Sequence, residues 1–249
     1  MKKASESLIL AIDTATPTQS LAILRGSRVL FEALANRESK EGPGLLSLVD
    51  AALSQCELRI GDIDRFVVSR GPGAFTGVRV SMAMLKSFAL TLDRPLYGLS
   101  SLDAIARTAV APFCVTAACI DARRGEIYAS FYREVDGRCE RITDELLLRP
   151  EAFGELTLKM FHDMPIFCIG TAFPHYGDCL TKINPRLCCR YAAPSAASLG
   201  LNMVEAYEDK LPDQSLESLE PRYIRIEDFA TPQPFDFSTP GQFRKSSER

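Results

Sequence analysis

Val67-Val68-Ser69-Arg70-Gly71-Pro72-Gly73-Ala74-Phe75-Thr76-Gly77-Val78-Arg79-Val80 is the stretch on which the reading of this chain turns. A β-branched run leads into Gly-Pro-Gly, and a third glycine stands just before a long apolar segment. Glycine reaches backbone angles that other residues resist and lets another group approach the main chain closely. Beyond Gly77, apolar residues recur at 78, 82, 85, 89 and 92, and again at 80, 84 and 88. Two such rows cover more of a helix than one buried stripe needs. Arg79, Lys86 and Asp93, with Ser87 and Thr91 beside them, leave a single polar stripe. The stretch therefore predicts a strand, a glycine loop and a helix, Val78–Leu92, too apolar for an ordinary surface helix.

The loop admits two readings. Free N–H groups and the helix dipole at such a turn can hold an anion. A tight turn docked on another element needs the same glycines. No Walker lysine follows Gly77 and the spacing is not that of a dinucleotide fingerprint, so the docked turn is favoured.

Working outward, Ile63–Ser69 enters the loop as a strand, and Leu8–Asp13, Ser20–Leu24 and Val29–Ala35 read as three more, with a turn at Arg25-Gly26-Ser27. Gly42-Pro43-Gly44 opens a helix, Leu45–Cys56, apolar at 45, 48, 49, 52, 53 and 56. After Pro95–Leu99, a strand, Ser100 and Ser101 can cap a helix to about Val110. The second half repeats the order: strands Val115–Asp121, Ile127–Arg133 and Arg141–Leu148, a helix from Pro150, strand Pro165–Gly170, a helix near Tyr176–Ile183, a strand near Cys188–Tyr191 and a helix Ser195–Glu208. Ala11-Ile12-Asp13 and Ser20–Leu24 fall opposite Cys119-Ile120-Asp121 and Tyr128–Tyr132 at a constant offset of 108. The expected architecture is an α/β, actin-like (sugar-kinase superfamily) fold of two duplicated β-β-β-α-β-α lobes, 1–111 and 112–230, with a cleft at the ends of both first strands. Residues 231–249, rich in proline and polar groups, are expected to be a disordered tail.

Composition is ordinary for a globular chain: 249 residues, 46% hydrophobic and 24% charged, with net charge −3. No global field attracts nucleic acid. Eight cysteines form no CxxC, and several sit in apolar runs, which points to a reducing compartment. The start is too polar for a signal peptide and no apolar run reaches membrane-spanning length, so a cytoplasmic chain with no membrane association is expected.

Asp13 and Asp121 stand at equivalent strand ends, where acids can hold a metal or orient water, or can close their local turns. Neither is followed at once by phosphate-wrapping glycines, which favours turn closure over independent catalysis. His162 and His175, 13 apart, form no HxxxH pair, and no GxSxG occurs, so metalloprotease and nucleophilic-hydrolase readings fail and no catalytic or metal-binding residue is assigned. Arg70, Arg79, Arg123 and Arg124 could meet an anion near the cleft, although arginines so spaced are more often solvated or paired. The candidates for binding a nucleotide are Asp13, Thr14, Gly71, Gly73, Thr76, Gly77 and Asp121.

Ile9–Thr16, Gly71–Arg79 and Ile120–Tyr128, together with Pro194–Ala197 and Glu220–Arg225, resemble the bacterial TsaB (YeaZ) family over about residues 7–228. The resemblance implies the actin-like fold and a non-catalytic role in making threonylcarbamoyladenosine on tRNAs that read codons beginning with A. It implies pairing with a TsaD-type catalytic subunit, a TsaE-type ATPase that joins the pair, a homodimer when alone, and contact with tRNA only through the complex. It implies no cofactor of the chain's own and admits ATP or ADP at the boundary with the partner. Relatives often carry a histidine where this chain has Glu38–Gly44. The competing reading is a self-sufficient nucleotide-dependent transferase or hydrolase of the actin-like superfamily.

The helices Leu45–Cys56 and Val78–Leu92 exceed what one sheet face covers, so they are expected to dock against a matching pair in a four-helix bundle. The residues proposed for that interface are Leu45, Leu48, Val49, Ala52, Val78, Met82, Leu85 and Ala89.

Overall fold

The structure is a computed structural model, describing residues 6–36, 43–162, 164–208, 216–222 and 224. Its elements, in chain order, begin with β1 (Leu8–Asp13), β2 (Thr18–Arg25), β3 (Arg28–Asn36), α1 (Leu45–Gln55), β4 (Arg65–Ser69), α2 (Phe75–Leu92), β5 (Leu96–Leu99) and α3 (Ser101–Arg107). There follow β6 (Val115–Arg123), β7 (Glu126–Val135), β8 (Arg138–Arg141), β9 (Leu146–Leu148), α4 (Pro150–Met160), β10 (Ile166–Gly170), α5 (Phe173–Ile183), β11 (Leu187–Arg190) and α6 (Ala196–Glu208). The first sheet runs β3-β2-β1-β4-β5 and the second β8-β7-β6-β10-β11, with β9 added on β7. In both, an antiparallel hairpin gives way to parallel strands. This shared order is the duplicated actin-like plan.

The constant offset of 108 needs one correction. Asp13 pairs with Ser20, whereas Asp121 pairs with Ile127, so the offset is 108 in the first strand of each hairpin and 107 in the second. The connection between those strands is one residue shorter in the second half.

All six residues of β1 are buried, because both faces of its sheet are covered. Side chains alternate between the faces with period two. Leu8, Leu10, Ile12, Leu21, Ile23, Phe66 and Val68 meet α1 and α2, while Ile9, Ala11, Ala22, Leu24 and Val67 meet Ala196, Leu199, Met203 and Val204 of α6. In the second sheet, Val115, Ala117, Phe131 and Cys168 pack with Phe153 of α4 and Phe173 and Leu180 of α5. Phe131 stacks on Phe153 at 5.6 Å. Its other face, with Ala118, Ile120, Tyr132 and Ile169, is covered by Leu102, Ile105 and Ala106 of α3.

The last helix of each repeat has thus crossed to the opposite sheet. Arg107 joins the two helices by a bidentate pair with Glu205, at 2.6 and 2.7 Å. The start of α6 is fixed to the first sheet by three bonds: Ala196 N–H to Ser20 Oγ, Ala197 N–H to Glu32 Oε1, and Ser195 hydroxyl to Glu32 Oε1.

Two predicted elements differ. The second long helix begins at Phe75, not Val78, since the turn closes early with Ala74 N–H donating to the Ala15 carbonyl at 2.6 Å. The predicted strand Arg141–Leu148 is split into β8 and β9, because Ile142 and Thr143 turn back to bond Ser130 and Phe131. The segment Glu38–Gly42 and the tail 231–249 lie outside the described residues.

Candidate functional site

Asp13 ends β1 with no exposed surface. Its Oδ1 accepts the Ala15 N–H at 2.8 Å and its Oδ2 accepts the Ser101 hydroxyl at 2.6 Å. Ser69 lies 2.5 Å from the Ser101 hydroxyl and accepts the Gly71 N–H at 3.1 Å. A chain of bonds therefore runs from the glycine loop through two serines to the carboxylate. Thr14 is similarly occupied: its hydroxyl donates to the Gly77 carbonyl at 2.8 Å and lies 2.7 Å from the Ser81 hydroxyl. Asp121, half-buried, closes the matching turn of the second half by accepting the Arg123 N–H at 2.8 Å. Asp13 and Asp121 make the same i to i+2 contact.

The glycine loop is packed against the chain itself. At Gly73, with φ +153°, an added Cβ would lie 2.7 Å from the Ala15 Cβ and collide with the Ala15 carbonyl oxygen. Close main-chain approach, not an anion, requires glycine there. Gly71 is buried and its carbonyl accepts the Ser101 N–H at 2.8 Å. Phe75 stays 54% exposed, and the Arg79 guanidinium stacks over its ring at 3.8 Å.

The nucleotide candidates are consequently dispersed. Gly73 and Asp121 line a cavity of about 230 Å³ between the two halves, with Thr16, Tyr128, Thr171, His175 and Tyr191 among its other walls. Thr14, Thr76 and Gly77 line a separate groove beside Gln19, Leu45 and Val80. Asp13 and Gly71 line neither of these two. The cleft residues Tyr128, His175 and Tyr191 carry no sequence signal of their own and come together only through the meeting of β6, β7, α5 and the end of β11. Among the described residues, no group of three or more His, Cys, Asp or Glu side chains could hold a metal ion.

Behind the cleft, residues 216–222 strap the halves together. Leu219 is 2% exposed in the first core, and the Gly98 position has no room for a Cβ beside it. Arg70 Nε donates to the Glu220 carbonyl at 2.9 Å, and Arg222 N–H to the Arg70 carbonyl at 2.8 Å. Burial and the neighbouring Arg222 charge lower the Arg70 pKa from its ordinary value. Arg222 Nε stands 3.1 Å from Glu145 Oε2, while Glu145 Oε1 takes Arg141 at 3.0 Å and the Ser100 hydroxyl. Arg141 also pairs with Asp103 at 2.6 Å, and Tyr132 donates its hydroxyl to Asp103 at 2.9 Å. Burial opposes the charge of Arg141, but Tyr132 and the two carboxylates Asp103 and Glu145 outweigh it and raise the pKa.

The two long helices turn the other way round from the expected facing. Leu48, Val49, Ala52, Val78, Met82, Leu85 and Ala89 are all buried in the first core, and Leu45 is half-buried. Their row faces the sheet, so it is not the outward surface. The outward apolar residues are Leu46 (63% exposed), Val80 (52%) and Leu90 (70%), with Ala83 and Ser87 exposed near them. Ser81 is buried. A groove of about 810 Å³ lies along α1, walled by Leu46, Asp50, Ala51, Ser54, Leu58 and Phe88 among others. Among the described residues no helix is long and apolar enough to cross a membrane.

The family model and the named relatives both belong to threonylcarbamoyladenosine biosynthesis on tRNA, the model under the name TsaD and the relatives under the name TsaB. Residues 35–201 match the family model described as TsaD, tRNA N6-adenosine threonylcarbamoyltransferase. The chain is 31% identical to the tRNA threonylcarbamoyladenosine biosynthesis protein TsaB of Bacillus subtilis, over 65% of this chain and 70% of that one. It is 36% identical to the Escherichia coli protein of the same name, over 59% of this chain and 64% of that one. The solved structure of YeaZ from Pseudomonas aeruginosa superimposes with a TM-score of 0.72 at 26% identity, covering 88% of this chain and all of the other.

Proposed function

The chain belongs to the TsaB (YeaZ) family, and from that membership we propose that it is a non-catalytic partner subunit in threonylcarbamoyladenosine formation on tRNAs reading codons that begin with A. It pairs with a TsaD-type catalytic subunit and activates it, and a TsaE-type ATPase joins the pair. The observation that carries this reading is the exposure of large apolar side chains on α1 and α2: Leu46, which lines the α1 groove, and Val80 and Leu90 on α2. Large exposed apolar side chains gathered on one helical face mark a docking surface. A matching helix pair on a partner of the same plan would complete a four-helix bundle. A second copy would use the same face isologously, so homodimer and heterodimer exclude one another.

The cleft supports the non-catalytic half of the reading. Asp13 spends both oxygens inside its own half, and Gly73 is filled by Ala15. No nucleotide is assigned to the chain alone; ATP or ADP belongs at the boundary with the partner. The test is co-expression with a TsaD-type subunit followed by size-exclusion chromatography, for the wild type and for Val80→Glu. Loss of the co-eluting complex in a variant with unchanged circular dichroism is the expected result. Metal-dependent ATP turnover by the isolated chain, lost in Asp13→Ala, would instead promote the self-sufficient enzyme.

A further inference from the structure

We infer that the edge of the cleft at the β6–β7 turn binds a single-stranded segment of RNA, with Arg123 and Arg124 on its phosphates and one base in the cavity against Tyr128, His175 and Tyr191. This rests on the reading that the protein works on tRNA, and it assigns that substrate a direct contact with this chain.

The first support is backbone conformation. Arg123, Arg124 and Gly125 are consecutive left-handed residues, with φ of 64°, 55° and 77°. Asparagine or glycine would adopt these angles with less strain, yet two of the three positions hold arginine. The ladder also shifts register between Asp121 and Arg123, a bulge that Asp121 braces by accepting the Arg123 N–H. Bulges re-aim side chains, and strained residues collect at functional sites. Here the result is two consecutive exposed arginines, the first of which lines the cavity. The corresponding turn in the first half, Thr14-Ala15-Thr16-Pro17, carries no charge.

The second support is the cavity. At about 230 Å³ it falls short of the roughly 300 Å³ at which pockets for whole small ligands begin, but it can take one base. Tyr191 is 59% exposed at its rim. Aromatic faces stack bases whatever their sequence, and single-stranded RNA is held by such platforms beside basic side chains. The half-buried Asp121 carboxylate and the hydroxyls of Thr16 and Thr171 can meet a base edge. An acidic peptide offers carboxylates to the turn but nothing that stacks in the aromatic-lined cavity.

The experiment is fluorescence polarisation of the full chain at low salt with a fluorescein-labelled single-stranded oligoribonucleotide, the same strand annealed to its complement, and adenosine monophosphate as competitor. The single strand is expected to bind better than the duplex and to resist the mononucleotide. The double variant Arg123→Gln/Arg124→Gln should bind about tenfold more weakly and lose about 1.4 from the log–log salt slope. Tyr191→Ala should weaken binding roughly fivefold or more. Co-elution with the TsaD-type subunit, measured on the same variants, should not change. Wild-type affinity in all variants, absence of RNA binding by a chain that still pairs with its partner, or equal binding of adenosine monophosphate would each overturn the inference. Loss of partner pairing with RNA binding intact would sink the proposed function instead. Should the double variant fail to fold, photocrosslinking of a 4-thiouridine strand to the wild type decides: adducts on peptides holding Tyr128 or Tyr191 support the site, and adducts only elsewhere refute it.

Discussion

The Ser101 hydroxyl donates to Asp13 Oδ2 at 2.6 Å and so ties the end of β1 to the first turn of α3. The acid is a structural junction. Asp13→Asn should cost about 1–3 kcal/mol in urea unfolding, since one acceptor becomes a donor among buried partners. ATP hydrolysis by the isolated wild-type chain should remain at background.

Gly73→Ala should be far more damaging than Gly125→Ala. The first places a methyl against Ala15 main chain, while the second meets nothing within 4 Å and bears only the left-handed backbone cost. The expected losses are more than about 2 kcal/mol and about 1 kcal/mol respectively, read from denaturant midpoints.

The strap should matter through its leucine more than its arginine. Leu219→Ala removes a buried side chain from the first core and should cost about 2–4 kcal/mol. Arg222→Ala takes the partner from one oxygen of the buried Glu145 carboxylate, whose other oxygen keeps Arg141 and the Ser100 hydroxyl, and should cost about 1–2 kcal/mol.

Alkaline stability should report Tyr132. Burial, then the neighbouring Asp103 charge, push its phenol well above the ordinary value. The neutral folded form therefore contributes stability that is complete below the unfolded pKa, near 10, and is lost as pH climbs from there towards the folded value. The melting temperature should fall between about pH 9.5 and 11, and less steeply in Tyr132→Phe.

The two long helices offer a paired test. Val80→Glu and Leu90→Glu should leave the fold intact and abolish association, whereas Leu85→Glu should prevent folding, since Leu85 has no exposed surface. Sedimentation with circular dichroism separates these outcomes.

Most of the frame is legible in the chain, because β1, β4 and β6 read as continuous apolar runs and α1 and α2 show helical rows. Which row of α2 faces the sheet is not. Val78, Met82, Leu85 and Ala89 compete with Val80, Met84 and Phe88, and only the position of β4 and α1 decides between them. The register of the second hairpin is hidden for a similar reason, since a one-residue difference in a connection leaves no mark in composition. At the cleft, Asp13 and Asp121 are found by position, but the gathering of Tyr128, His175 and Tyr191 depends on elements distant in sequence.

The exchange of α3 and α6 has a consequence for synthesis. During translation the strands of the first sheet emerge long before residues 196–208, so Ile9, Ala11, Ala22 and Val67 wait without their cover. The second sheet, by contrast, finds α3 already made. A nascent chain halted before α6 would present a half-clothed sheet to chaperones.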